Sequence, residues 1–153
     1  MKHIKFLSLL LMVSVLAFSC SKKSNPAPAA AGLSLKFNGT LYTASGTTAS
    51  YSKSQNALQV IGTFGTTGSV YLAIPSGVKV GTFDLSGSAA AATFSNGADV
   101  NHTYLSTSGS LVITTFTSTT VAGTFQFTGG TATSPSTNGV VTEGKFQTTY
   151  TNQ

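Results

Sequence analysis

From residue 33 onward, apolar and polar residues alternate, and Gly, Pro, Asn or Ser clusters interrupt the alternation every 8 to 12 residues. A period of two puts successive side chains on opposite faces of an extended chain. Short segments of that kind, regularly punctuated, imply an all-β, antiparallel sandwich or partly closed barrel of about 8–10 short strands. Both architectures need the same alternation and the same turns, so the pattern leaves that choice open. "LSLKFNGTLYTA" shows the logic best. Leu33, Leu35 and Phe37 share a face, Asn38-Gly39 is the dipeptide of a type I′ turn, and Leu35 falls opposite Tyr42 on the return strand.

Further strands are expected at about 47–52, 56–64, 69–74, 78–85, 90–95, 99–105, 109–117, 119–128 and 138–150. A second Asn-Gly turn is expected at Asn96-Gly97, and Val100, His102 and Tyr104 on one strand face. In the last strand strict alternation puts Val140, Thr142, Gly144, Phe146, Thr148 and Tyr150 inside. Val141, Glu143, Lys145, Gln147 and Thr149 then face out, with Glu143 and Lys145 as solvated neighbours. Glycine precedes phenylalanine by two at 62/64, 81/83, 123/125 and 144/146. A glycine there leaves a gap that a neighbouring ring covers in a curved sheet, so these rings are assigned to the core rather than to a glycan-stacking row.

The N-terminus follows a different rule. Lys2 and Lys5 precede an apolar run from Phe6 to Phe18 that ends at Cys20, the single cysteine. Thirteen helical residues would span about 20 Å, short of a ~30 Å hydrocarbon core. Residues 1–19 therefore read as a secretory signal. Cys20 has no disulfide partner in the chain, and its position resembles the bacterial lipobox, which makes it the lipidation site. Ala17 stands where that motif has leucine, with Leu16 one place further back, and an ordinary cleaved signal peptide is the other reading. Acylation at Cys20 would anchor the chain to a membrane, since each buried methylene contributes about 0.8 kcal/mol. Residues 20–32, with Pro26 and Pro28, form the tether, and 33–153 a single β domain.

Charge sets limits on partners. Charged residues make up 7% of the chain, and the net +5 comes from eight lysines without arginine. Four of the lysines lie in the first 23 residues, which leaves the β domain close to neutral. A nucleic-acid footprint is absent, and no nucleic-acid partner is expected. No catalytic residue, metal site or cofactor is expected either. Asp84, Asp99 and Glu143 are the only acids, and after signal cleavage His102 is the only histidine. That supplies no metal cluster and no evident triad. The ligand-binding residues are unknown at this level. The loops 86–92 and 129–139 are the longest without alternation and the places where binding would ordinarily lie.

"FNGTLYTA", "VGTFDLS", "TFSNGAD", "AGTFQFTG" and "VTEGKFQTTY" together resemble an uncharacterised family of Bacteroidetes lipoproteins with one lipobox and one all-β domain. The resemblance implies an address and a scaffold, without an activity. With no catalytic constellation among the residues, the chain is expected to be an outer-membrane lipoprotein acting as a non-catalytic binding or structural module at the cell envelope, with a glycan or envelope protein as its partner. A lipocalin-like carrier and a small hydrolase using one of the three acids are the alternatives. Ser21, Lys22 and Lys23 after the cysteine lean toward the periplasmic leaflet over the cell surface.

Overall fold

The computed structural model describes residues 31–97, 99–135 and 139–153; the signal segment, Cys20 and most of the tether lie outside them. Ten strands form one sheet: β1 (Gly32–Phe37), β2 (Thr40–Thr43), β3 (Gly46–Ser52), β4 (Ala57–Phe64), β5 (Gly68–Ile74), β6 (Gly81–Asp84), β7 (Ala91–Ser95), β8 (Thr103–Phe116), β9 (Thr120–Thr131) and β10 (Gly139–Asn152). Seven of them close on themselves in the order β10-β3-β4-β5-β7-β8-β9, and β9 pairs back to β10. The architecture is thus a closed barrel with extra strands, not a sandwich. Strands β1 and β2 continue the sheet from β10, and β6 continues it from β8.

Two 14-residue strands make this possible, because each is shared along its length. On the side away from β9, β8 pairs first with β7 and then with β6. In the same way β10 pairs first with β1 and then with β3. The β3–β10 seam is parallel, contrary to the all-antiparallel expectation, and consists of three residue pairs from Tyr150↔Ala49 to Asn152↔Tyr51.

Long strands bend round a barrel through bulges, where one extra residue on a strand increases its local twist. The β8–β9 register slips by one residue at Thr107 and again at Thr114. Each bulged threonine hydroxyl donates across to β9, Thr107 to the Thr128 carbonyl at 3.1 Å and Thr114 to the Ala122 carbonyl at 3.2 Å. A third bulge lies in β10 between Val141 and Gly144, against both neighbours. It reverses the expected facing of the first residues: Val141 is buried at 1% exposure while Val140 is exposed at 39%. Gly144, Phe146 and Thr148 face inward as alternation requires.

Aliphatic and aromatic side chains from every barrel strand fill the interior. The first hairpin is as expected, with Asn38 and Gly39 both at positive φ and Leu35 opposite Tyr42. It carries Phe37 and Tyr42 against Phe94, at 4.5 and 5.3 Å between ring centroids, and so closes one end of the barrel. Tyr51, Phe116 and Tyr150 meet in a second ring cluster beside the seam. All four phenylalanines of the Gly-x-Phe motifs are buried, as core packing requires. Two of the motifs interlock: Gly144 lies opposite Phe125 and Gly123 opposite Phe146, so each ring covers the other strand's glycine.

Other local expectations are corrected. Asn96-Gly97 is not a two-residue turn; it opens a loop in which the Asn96 N–H donates to the His102 carbonyl. A 3₁₀ turn, Val100–His102, replaces the expected strand across 99–102, and Asp99 caps it by accepting from the Asn101 N–H. Residues 78–80 precede β6 rather than belong to it, and 129–131 extend β9 instead of forming a loop.

Candidate functional site

The outer face of β8, β9 and β10 carries a concavity of about 360 Å³. Its walls are Ser110 and Val112 from β8, Thr124 and Gln126 from β9, and Glu143 and Lys145 from β10, with Gly144 and Phe125 beneath. The registers explain the assembly. Ser110 pairs with Gln126 and Val112 with Thr124 on one side; Lys145 pairs with Thr124 on the other. Outward-facing positions of three adjacent strands thereby line up in two rows.

Glu143 owes its place to the β10 bulge. Its backbone φ is +52°, a left-handed conformation that strains residues other than glycine. A bulge re-aims a side chain, and backbone strain of this kind concentrates at functional sites. The Glu143 carboxylate projects into solvent with its side chain 67% exposed, and the Lys36 ammonium of β1 holds Oε1 at 2.8 Å. That contact spans 107 residues of sequence. Among the described residues no other protein donor is seen on the Glu143 carboxylate. Lys145, two residues on and facing the same way, has no carboxylate within ion-pair distance among the described residues. The turn of the first hairpin buttresses the same stretch: the Asn38 N–H donates to the Val140 carbonyl, and Asn38 Oδ1 accepts from the Val140 N–H, each at 2.9 Å.

The three acids are not brought together. Asp84 ends β6 opposite Ser110 and accepts from the Ser86 N–H at 2.7 Å, which holds its carboxyl below the usual range. Three strand spacings, about 14 Å at ~4.8 Å each, separate β6 from β10 across β8 and β9. Glycosidases use carboxyl pairs ~5–10 Å apart, so Asp84 and Glu143 do not match that geometry.

Asp99 has a partner that the sequence reading did not assign. Its Oδ1 lies 2.7 Å from Nδ1 of His102, which lowers the Asp99 pKa, and the pair is exposed. Asn101 Oδ1 in turn accepts from Thr133 Oγ1 at 2.7 Å, tying this loop to the one after β9. Ser95, at the end of β7, donates its hydroxyl to the Gly97 carbonyl at 2.7 Å. The dyad thus works as a loop clamp with no serine engaged by the histidine. Among the described residues no three His, Cys, Asp or Glu side chains converge as a metal site.

A second depression, about 150 Å³, lies at the β3–β10 seam between Thr48, Ser50, Gln59, Ile61 and Thr151. It carries no charged group. Alternation alone makes Glu143 and Lys145 plain solvated neighbours. The Lys36–Glu143 pair was invisible to it because it depends on the β1–β10 register, although a glycine within a strand pattern does signal a bulge.

A family model described as "Domain of unknown function (DUF6252)" matches residues 29–149. No curated protein matches the chain. No solved structure matches it either.

Proposed function

Because the chain belongs to this family of domains of unknown function, a membership that brings a scaffold without an activity, we propose that it is a membrane-anchored envelope lipoprotein whose barrel acts as a non-catalytic binding module. The observation that carries the binding role is Glu143. A charged residue occupies a left-handed backbone position within a long strand and lines a groove, and Lys36, from β1 on the other side of β10, pairs with its carboxylate. A scaffold selected for stability alone favours glycine at such a position.

The anchor rests on the sequence. Cys20 follows a short apolar segment and precedes a Pro-containing tether, as a lipidated N-terminus does. The family resemblance extends this to a Bacteroidetes outer-membrane lipoprotein, and Ser21 with Lys22 and Lys23 favours the periplasmic leaflet. A lipocalin-like carrier has less support, because bulky side chains such as Phe94, Phe125 and Phe146 occupy the barrel interior. A hydrolase has less support because its candidate acids stand apart or serve as caps.

Two measurements test the proposal. Mass spectrometry of the mature N-terminus should find an acylated Cys20 and its loss in Cys20→Ser. Protease treatment of intact cells carrying a C-terminal tag should spare the domain until lysis. An unmodified Cys20 would remove the anchor from the proposal, and digestion on intact cells would move the domain to the cell surface.

A further inference from the structure

We infer that the seam end of the barrel is a membrane-docking surface, on which Lys53 and Lys79 meet anionic phospholipid headgroups beside the Cys20 anchor; this rests on the lipoprotein reading. Four pieces of chain define that end. The parallel seam puts Tyr51 opposite Asn152, so the β3–β4 turn lies where β10 finishes. The pair Leu58↔Ile74 brings the end of β5 there, and Thr149↔Thr120 brings the β8–β9 turn. Residues 75–80 are fastened to the β3–β4 turn, because the Val78 N–H donates to the Asn56 carbonyl at 3.1 Å and the Val78 side chain is buried. Lys53 and Lys79 therefore stand exposed on two adjoining loops, with Val80 beside them at 59% exposure.

Charge is sorted along the barrel axis. The described residues hold seven charged side chains besides His102. Lys53 and Lys79 occupy the seam end without an acidic side chain. Lys36, Lys145, Asp84 and Glu143 lie on the flank, two of each sign, and cancel. Asp99 lies at the opposite end, in the loop between β7 and β8. Neither seam lysine has a carboxylate within ion-pair distance among the described residues. Gln153 also reaches this end, its N–H donating to the Tyr51 carbonyl, and a terminal carboxylate there would offset one ammonium and leave the end positive. Such an asymmetry turns the positive end toward an anionic surface.

The anchor brings down the same end. Strand β1 runs away from the seam, so the chain enters it from the seam side. Gly32 pairs with Gln147. At ~3.4 Å per residue along β10, that point is ~17 Å from Asn152 and ~27 Å from Gly139. Twelve residues separate Cys20 from Gly32, a reach of about 42 Å at most. The opposite end exposes Val100 and Val140, but it carries Asp99, which an anionic surface repels. Docked by the seam end, the barrel keeps the groove over β8, β9 and β10 open on its flank.

The test uses the full chain, processed by its host and purified with its own anchor, in nanodiscs of phosphatidylcholine or of phosphatidylglycerol. A water-soluble acylating reagent and peptide mass spectrometry read the reactivity of Lys36, Lys53, Lys79 and Lys145 in one sample. In the anionic discs Lys53 and Lys79 should react about fivefold or more slowly than in the neutral ones, with Lys36 and Lys145 unchanged as flank references. The protection should vanish at ~1 M salt, where the screening length is ~3 Å. Lys79→Gln should release most of the protection of Lys53, and an unchanged thermal midpoint would show that the variant is folded. Equal reactivity of all four lysines in both discs, protection of Lys36 or Lys145 instead, or equal protection of the seam lysines in neutral and anionic discs would each overturn the inference. The same spectra report Cys20. If it carries acyl chains and the seam lysines stay reactive, the anchor stands and the docking falls. If it is unmodified and the chain does not stay with the discs, the lipoprotein reading falls and the docking with it.

Discussion

Glutamate is a costly residue for a left-handed backbone, by roughly 1–2 kcal/mol relative to glycine, whose missing Cβ removes the clash. At Glu143 the exposed ion pair with Lys36 returns at most about 1 kcal/mol. Glu143→Gly relieves the strain, loses the pair and loosens the unfolded chain, so its stability should stay within about 1 kcal/mol of wild type. Glu143→Ala loses the pair and keeps the strain. Chemical denaturation should therefore rank the glycine variant above the alanine variant, and the reverse order would mean that the bulge carries no backbone cost. Asp99 supplies a pH signature. Its hydrogen bond with the His102 side chain lowers its pKa below the usual aspartate range. A depressed carboxyl contributes stability that is present above the unfolded pKa and is lost as pH falls through the folded one. Asp99→Asn should flatten the acid limb of the stability curve below pH ~4. NMR titration of the Asp99 carboxyl should show a midpoint under the free value, and a midpoint at or above it would remove the clamp from the account.

Bulges set the facing of whole elements, and they mark where the sequence stopped being legible. Alternation puts Leu33, Leu35 and Phe37 of β1 on one face, and all three are buried, because β1 pairs without an extra residue of its own and its apolar residues keep one phase. In β10 the neighbouring pair Val140-Val141 fits either phase. The extra residue before Gly144 decides in favour of Val141, and only the pairing with β1 and β9 reveals it. In β8 the bulged residues sit among like residues, Thr107 between Ser106 and Ser108 and Thr114 beside Thr115, so no local signal separates them. The groove was hidden for the same reason, since its residues come from three strands and meet through register. The Gly-x-Phe motifs were legible as packing but not as partners. Gly123 and Gly144 face the opposite strand so closely that a Cβ would lie 2.3 Å from the Val112 carbonyl oxygen and 2.5 Å from that of Phe125. Backbone cannot give way as a flexible side chain can. Gly144→Ala should cost about 2–4 kcal/mol through forced separation of β9 and β10. Adding Phe125→Ala should not restore it, because the blocking carbonyl remains; recovery in the double variant would assign the cost to the ring.

At the scale of the molecule, sandwich and barrel differ by one contact, the β3–β10 seam. Every other neighbour pair in the ring is antiparallel, and β3 meets β4 over seven residue pairs. The seam has three, all supplied by Tyr150, Thr151 and Asn152. Its strength therefore has to come from side chains beside it. Tyr150 stacks on Phe116 at 5.6 Å, meets Tyr51 edge-on, and donates its hydroxyl to the Thr117 carbonyl. Closure also waits for the last strand, because a contact between residues 49–51 and 150–152 carries the loop-closure entropy of the whole domain. Stability then should not be uniform around the ring: β9, flanked along its length, is the firm side, and the seam is where the barrel opens first. Truncation after Thr149 tests this. Loss of a partly buried tyrosine together with the three pairs should lower stability by about 2–4 kcal/mol. Native-state hydrogen exchange should show the loss of protection confined to β3 amides that face β10, with β9 amides still exchanging only through global unfolding. If β3 kept its protection in the truncated chain, β4 alone would be holding it and the ring would be an open sheet in energetic terms. If β9 lost protection equally, closure would be the step on which the whole domain depends, and opening at the seam would be indistinguishable from unfolding.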